Sequence, residues 1–177
     1  MTARLDEAVE ADLRPLSELA ARTFPLACPP ELDAGMIGAF IAEHLSEEAF
    51  RTYTESSEHA VLVCRSDDGA IVGYVLLVEG TAMDPDCATQ IVHRPTTGIS
   101  KFYVDPDHHG AGIASRMLDD VIARSRRSGV QSVWLATNVA NARARRFYVK
   151  NGFEPRGNRT FDVGGVANTD VVYELPL

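Results

Sequence analysis

The spacing of hydrophobic residues predicts three helices in the first third of the chain. After a short strand at residues 4–8, the apolar positions from Asp12 to Phe24 follow helical spacing. Prolines at positions 25, 29 and 30 are expected to end this helix. A second helix is predicted at residues 31–45. A third is predicted to start at Ser46, because two glutamates follow this residue.

The remaining two thirds of the chain read mainly as strands. Residues 59–65 and 70–79 flank the turn at residues 66–69, which predicts a hairpin. Residues 80–96 show little periodicity and are predicted to be a surface loop. Further strands are predicted at residues 97–104, 131–137, 153–163 and 168–175, with helices at 112–128 and 141–151. This order predicts one α/β (α+β) domain.

A glycine-rich turn joins a predicted strand to a predicted helix. It comprises Gly110, Ala111, Gly112, Ile113, Ala114 and Ser115. Small residues allow close approach of the backbone, and the first N–H groups of a helix attract anions, so the turn suits a pyrophosphate. A simple change of chain direction, or a dinucleotide-binding turn, would use similar residues. No Gly-Lys-Ser/Thr sequence follows, which excludes a P-loop.

A second candidate segment covers the predicted strand at residues 131–137 and the helix after it. Asn141 stands where it can cap that helix, and Gly152 stands where it can end it. Taken alone, Tyr148 fits a packed core aromatic better than a catalytic group, because aromatics at helical spacing usually belong to the core. Lys150 fits a solvated charge.

Together these two segments resemble motifs A and B of the GCN5-related N-acetyltransferase (GNAT) superfamily. Gly112 and Ala114 match the last fixed positions of motif A, and His109 stands where Arg or Gln is usual. The stretch from Asn141 through Tyr148 to Phe153 resembles motif B. The resemblance implies a single-domain GNAT fold, with a mixed, mostly antiparallel sheet that contains a splayed pair of strands and is flanked by helices. It also implies acetyl-CoA as co-substrate.

The same resemblance implies roles for individual residues. Asn141 would hydrogen-bond the pantetheine arm, Tyr148 would protonate the departing thiolate, and the backbone at residues 102–104 would supply oxyanion donors. The cofactor-binding set so implied is Phe102, Tyr103, Val104, His109, Gly110, Ala111, Gly112, Ile113, Ala114, Ser115, Asn141, Ala144, Tyr148 and Lys150. Many relatives carry Glu where this chain has Gly98, so Glu79 is the substitute predicted as general base.

Composition narrows the classes of partner. The formal charge of −8 argues against nucleic acid and is compatible with a cationic substrate. No signal segment or membrane span is evident, and three widely spaced cysteines suggest neither a disulfide framework nor a zinc site. We therefore expect a cytoplasmic protein with no metal. A homodimer stays open.

The acceptor predicted from the sequence is a small cationic amine, with polyamines first. The tail around Asp162 and Asp170 is loosely similar to that of bacterial spermidine/spermine acetyltransferases, and acidic residues are expected around the acceptor site, at Glu31, Asp33, Glu43, Glu47, Glu48, Asp84 and Asp86. Residues 1–58 would form the acceptor side and residues 59–177 the acetyl-CoA-binding core. Acetylation of protein N-termini or of another small molecule, acyl-CoA binding without turnover, and a dinucleotide enzyme are the alternatives.

Overall fold

The computed structural model describes residues 4–163 and 165–177, and in these residues seven strands form one sheet. The strand order is β1-β2-β3-β4-β5-β7-β6, and all neighbours are antiparallel except β4 and β5. The strands are β1 (Leu5–Glu7), β2 (His59–Arg65), β3 (Ile71–Glu79), β4 (Thr96–Val104), β5 (Ser132–Asn138), β6 (Glu154–Val163) and β7 (Val166–Pro176). The predicted mixed, mostly antiparallel sheet is confirmed.

Three helices near the N-terminus cover one face of the sheet. They are α1 (Leu13–Ala27), α2 (Ala34–His44) and α3 (Glu47–Glu55). Side-chain oxygens of Asp33 and Ser46 accept backbone N–H bonds and so cap α2 and α3. Helix α1 continues through Pro25 for two more residues, so the break predicted at this proline occurs later, at Cys28. The buried residues of this layer pack on Tyr74 and Leu76 of β3.

Two helices cover the opposite face. They are α4 (Ile113–Arg127) and α5 (Ala142–Lys150), and both begin close to their predicted starts. Ile113 and Met117 of α4 and Tyr148 of α5 join a core that contains Val75 and Leu77 of β3. Since successive residues of a strand point to opposite faces, β3 serves both layers. No helix in the described part of the chain is long and apolar enough to cross a membrane.

Strands β4 and β5 separate halfway along their length. They pair in parallel only from Thr96 with Ser132 to Ile99 with Leu135. At this point the register of β4 against β3 shifts, so that Leu76 faces Lys101 whereas Leu77 faces Ile99. An extra residue of this kind bends a strand and interrupts its pairing. The predicted splayed pair of strands is therefore present, and it opens a cleft between the two carboxyl ends.

The segment between β3 and β4 differs from the predicted surface loop. It contains a short 3-10 helix at Pro85–Thr89, and Cys87 and Ile91 are buried against Trp134 and Val172. Its backbone N–H groups at Val92 and His93 donate to the buried Glu174 carboxylate. The segment thus completes a small third core at one end of the sheet.

Candidate active site

A cavity of about 800 Å³ occupies the cleft between β4 and β5 and extends beneath α1 and α2. The glycine turn lines one part of it, the open halves of β4 and β5 line the middle, and residues of α1, α2, β6 and β7 line the remainder. One continuous space therefore connects both predicted motifs with the N-terminal helices. This space can hold a long ligand that lies between the splayed strands, together with a second molecule that contacts the end of this ligand below α1 and α2.

The glycine turn has the backbone conformation that its sequence predicts. Gly110 and Gly112 have φ angles of +87° and +72°, in the left-handed region where a side chain is strained. Gly112 is the N-cap of α4, so the first N–H groups of this helix lack intrahelical partners. The carboxylate of Asp105 accepts the N–H of Asp107 and pairs with Arg22 at 2.6 Å, which fixes the strand-to-turn connection.

Strand β4 presents an unpaired backbone edge to the cleft. Residues 102–104 pair with β3 on one side, whereas their pairing with β5 has already ended. Nε2 of His109 lies 3.1 Å from the Val104 carbonyl oxygen, so this side chain turns back to the end of β4. The remaining N–H and C=O groups of this edge can bind an extended ligand in the manner of an added strand.

Helix α5 brings two predicted residues to the cavity. The side-chain oxygen of Asn141 accepts the N–H of Ala144 at 3.1 Å and caps the helix. Tyr148 is buried, with its ring edge-on to Phe102, Phe147 and Phe153. Burial, and secondarily the neighbouring Tyr103, raise the pKa of Tyr148. The hydroxyl therefore stays protonated at neutral pH.

Comparison with known proteins decides the family. The profile of the acetyltransferase (GNAT) family matches residues 16–153. The chain belongs to the GNAT family of acetyltransferases. An uncharacterized N-acetyltransferase of Mycobacterium tuberculosis is 38% identical to it over 161 residues, which cover 91% of this chain and 95% of the relative.

Solved structures show the same fold at low sequence identity. The PaiA N-acetyltransferase of Thermoplasma acidophilum in complex with coenzyme A superposes with a TM-score of 0.77, at 19% identity and full coverage of both chains. Mutant forms of the spermidine/spermine N-acetyltransferase SpeG of Vibrio cholerae give a TM-score of 0.69 at 17% identity, covering 99% of this chain and 94% of that one.

The residues of this acetyltransferase fit acetyl-CoA, the acetyl donor of its family. Gly110 and Gly112 leave the turn without side chains where a pyrophosphate would approach, and the open edge of β4 suits the pantetheine arm. Among the predicted cofactor-binding residues, all but Ala111 and Lys150 line the cavity. Lys150 is exposed near the end of α5, and Ala111 instead accepts a hydrogen bond from Arg116 through its carbonyl oxygen.

Gly98, where the family resemblance led us to expect Glu, has little room for a side chain. A Cβ atom at Gly98 would lie 2.8 Å from Met83 and 3.1 Å from Nε1 of Trp134. Trp134 is fully buried and donates this N–H to the Gly80 carbonyl at 2.8 Å. The Met83 side chain and the indole of Trp134 thus occupy the space that a side chain at position 98 would need.

Glu79, the substitute predicted as base, does not lie on the cavity. It is exposed at the end of β3, where its backbone pairs with Thr97. The one carboxylate among the described residues that line the cavity is Asp170, on β7. Asp170 is buried and lies 3.3 Å from Arg159, its neighbour on β6. Burial raises the pKa of Asp170, and Arg159 partly offsets this.

Two cationic side chains on the acceptor side of the cavity, Arg159 and Lys101, were not predicted as site residues from the sequence. Arg159 is held by Asp84 and Asp170. Lys101 projects from β4 toward α2, with Nζ 5.7 Å from the centroid of the Phe40 ring. The only available signal was the position of Lys101 next to the motif residues 102–104, and an isolated lysine on a strand usually indicates a solvated edge.

Proposed function

We propose that this acetyltransferase transfers an acetyl group to the primary amine of a small molecule, by direct attack of the amine. The observation that carries the proposal is the continuous cavity, which joins the glycine turn and the open edge of β4 to an acceptor region lined by α1 and α2. Acetyl-CoA supplies the activated thioester. The chain supplies binding, orientation and proton transfer.

The first task of the chain is to remove a proton from the acceptor. A primary amine has a pKa of about 10.4, so deprotonation at pH 7 costs about 4.6 kcal/mol. We assign proton acceptance to Asp170 rather than Glu79, because Asp170 lines the cavity and Glu79 does not. Its raised pKa makes it a better base than an ordinary carboxylate. The ion pair with Arg159 holds its orientation.

The second task is to stabilise the charges that develop during transfer. Backbone N–H groups of residues 102–104 on the open edge of β4 would donate to the oxyanion. Tyr148, held by its aromatic neighbours, would donate its proton to the departing sulfur. An ordinary thiol has a pKa of about 8.5, which is lower than that of a tyrosine phenol, so the sulfur ends protonated at pH 7 once Tyr148 has regained a proton from solvent. Asn141, whose oxygen is engaged in capping, has its amide nitrogen left for the pantetheine arm.

Polyamines are the second candidate acceptor within this class, and the net charge of −8 favours them. The acidic residues expected around the acceptor site do not line the cavity. Asp33 caps α2, Glu47 and Glu48 pair with Arg51, and Asp84 pairs with Arg159. The polyamine assignment therefore depends on the overall charge and on the tail of the sequence. A homodimer remains a prediction, and a contact surface between two copies of the chain would be needed to support it.

Thiol release from acetyl-CoA, measured with a panel of acceptors, tests the proposal. The panel contains spermidine, aliphatic and aromatic monoamines, amino acids and a peptide with a free N-terminus. Turnover with a small amine, reduced about 100-fold in Asp170→Asn with little change in acetyl-CoA affinity, is the expected result. Turnover confined to the peptide, or acetyl-CoA binding without turnover of any acceptor, would contradict it.

A further inference from the structure

We propose that the acceptor carries a carboxylate besides its amine, and that Lys101 binds this carboxylate. This inference deepens the proposed function by naming the substrate class. It rests on the direction in which Lys101 points, on the absence of a partner for its charge, and on the balance of charges in the cavity.

The alternation of β4 places Lys101 on the acceptor side of the sheet. Phe102 packs on Phe147 and Tyr148, on the face that α4 and α5 cover. Lys101 therefore points to the opposite face, together with Tyr103, which stacks on Tyr74. Because the glycine turn leads into α4 on the other face, Lys101 cannot serve the phosphates of acetyl-CoA.

On the acceptor side of the cavity, Lys101 is the cation among the described residues that lacks a carboxylate partner. In residues 4–163 and 165–177, its Nζ contacts only Ser100, at 3.3 Å to Oγ and 3.5 Å to the carbonyl oxygen, and the ring of Phe40. Arg159, by contrast, has both Asp84 and Asp170. A partly buried charge without a partner is costly, and a bound anion would remove this cost.

The charge of the surrounding cavity supports the same conclusion. The charged and titratable side chains that line it on the acceptor side are Cys28, His44, Tyr53, His59, Lys101, Tyr103, Arg159 and Asp170. Asp170 is the one carboxylate, and Arg159 already pairs with it. Burial, together with the Arg159 charge, lowers the pKa of Lys101 to about 8, so it remains mostly protonated at neutral pH. One uncompensated positive charge matches a carboxylate better than a phosphate dianion.

The body of the acceptor should be apolar. Phe24 and Phe40 stack with centroids 4.6 Å apart, and both line the cavity close to Lys101. Leu32 and Leu76 add aliphatic surface. An amine that joins an apolar group to a carboxylate, such as a hydrophobic amino acid, would place its charge on Lys101 and its side chain on these rings.

Matched acceptors test the inference through turnover. Each pair differs by one carboxylate, as do phenylalanine and phenethylamine, or leucine and 3-methylbutylamine. We expect kcat/KM to be about tenfold or more higher for the acid-bearing member. Lys101→Met should remove this preference by raising KM, whereas Lys101→Arg should retain most of it. Arg14→Met, which removes an exposed charge on α1, is the control for net charge.

A binding measurement separates this inference from the proposed function. Calorimetry on the CoA-saturated protein compares 3-phenylpropionate with 3-phenylpropanol, neither of which can be acetylated on nitrogen. Tighter binding of the acid, lost in Lys101→Met and kept in Arg14→Met, supports the carboxylate site even if no amine is turned over. Equal binding of acid and alcohol, or an unchanged ratio in Lys101→Met, would overturn it. So would a kcat loss in Lys101→Met that is equal for both members of each acceptor pair.

Discussion

Burial shifts the pKa values of Tyr148 and Lys101 in opposite directions, for one physical reason. A low-dielectric environment disfavours the charged form of any group, so it raises the pKa of a phenol and lowers that of an ammonium. The result is an increase for Tyr148 and a value of about 8 for Lys101. Tyr148 is therefore kept as a proton donor, while Lys101 remains a cation that readily becomes neutral above pH 8.

Tyr148→Phe tests the donor. Its ring contacts with Phe102 and Phe153 can persist in the variant, so folding and acetyl-CoA affinity should be retained. Turnover is expected to fall about 100-fold or more, the range for loss of a general acid. Steady-state kinetics and calorimetry measure the two quantities. Turnover within a few-fold of the parent would mean that Tyr148 serves packing and that water protonates the sulfur.

Lys101→Met should change stability in a pH-dependent way. The pKa of Lys101 is about 8 in the folded protein and about 10.4 in an unfolded chain. Between these pH values the unfolded chain binds one more proton than the folded protein, so the unfolding free energy of the parent rises with pH. The variant has no such rise. It should be more stable than the parent at pH 7, by on the order of 1–3 kcal/mol, with the difference shrinking toward pH 10.

Urea unfolding of both proteins at pH 7, 8 and 9 measures that difference. Because both proteins share every other titrating group, such as Tyr103 and Cys64, their contributions cancel in the comparison. A pH-independent difference would show that Lys101 titrates normally. The expected result is also consistent with a residue that is retained for binding at a cost in stability.

At the residue scale, sequence motifs identified residues whose spacing along the chain is characteristic, but they did not identify residues that reach the cavity only through tertiary packing. Gly112 and Tyr148 belong to a pattern of spacing that the sequence displays. Asp170 and Lys101 become cavity residues only when distant strands assemble, and Met83 and Trp134 fill the space beside Gly98 through long-range contacts. No local pattern encodes such contacts.

At the element scale, the glycine turn and its helix act as one unit, and Gly112 is the position that a substitution tests. With φ at +72°, any side chain there is strained, even though an added Cβ would meet only Arg116 at 3.4 Å. Gly112→Val should therefore distort the start of α4 and reduce acetyl-CoA affinity about tenfold or more, about 1.4 kcal/mol.

Gly38→Val is the matched control for this turn. Gly38 lies in α2, where an added Cβ meets nothing within 4 Å. Calorimetry with acetyl-CoA, on variants shown by circular dichroism to be folded, gives the comparison. Equal affinities in the two variants would contradict a binding role for the turn.

Prediction of elements succeeded where a local signal marked each end. The hairpin of β2 and β3, and the start of α3 at Ser46, carry turn and cap residues of known preference. The second helix begins at Ala34, after its cap Asp33, rather than at the predicted residue 31. The segment before β4 has no periodicity, and its burial depends on Trp134 and Val172, which follow later in the chain. Helix α1 passes Pro25 because the proline ring holds φ near the helical value, and the helix then ends two residues later, at Ala27.

At the scale of the whole molecule, the surface and the cavity differ in charge. The chain carries a net charge of −8, whereas the described residues that line the cavity include Lys101, Arg143 and Arg159 against one carboxylate. A field from the whole surface acts over distance and concentrates free cations. A contact inside the cavity acts at short range and selects what stays bound. Attraction by the surface charge should therefore depend strongly on salt concentration, whereas binding by a contact inside the cavity should depend on it only weakly.

Ionic strength separates these two contributions. Exposed charges act over about 30 Å at 0.01 M salt and about 8 Å at 0.15 M. If the acidic surface concentrates polyamines at the cavity, the KM for spermidine, or its Ki where it is not acetylated, should rise several-fold across this range. A zwitterionic amino acid has no net charge to be attracted, so its KM should change less than about twofold, because its contact with Lys101 is screened far less. Initial-rate measurements at both salt concentrations, at constant pH, provide the comparison.

A KM for spermidine that does not change with salt would show that the surface charge plays no part in acceptor capture. A steep response for the amino acid would show that its carboxylate is held at an exposed site rather than by Lys101.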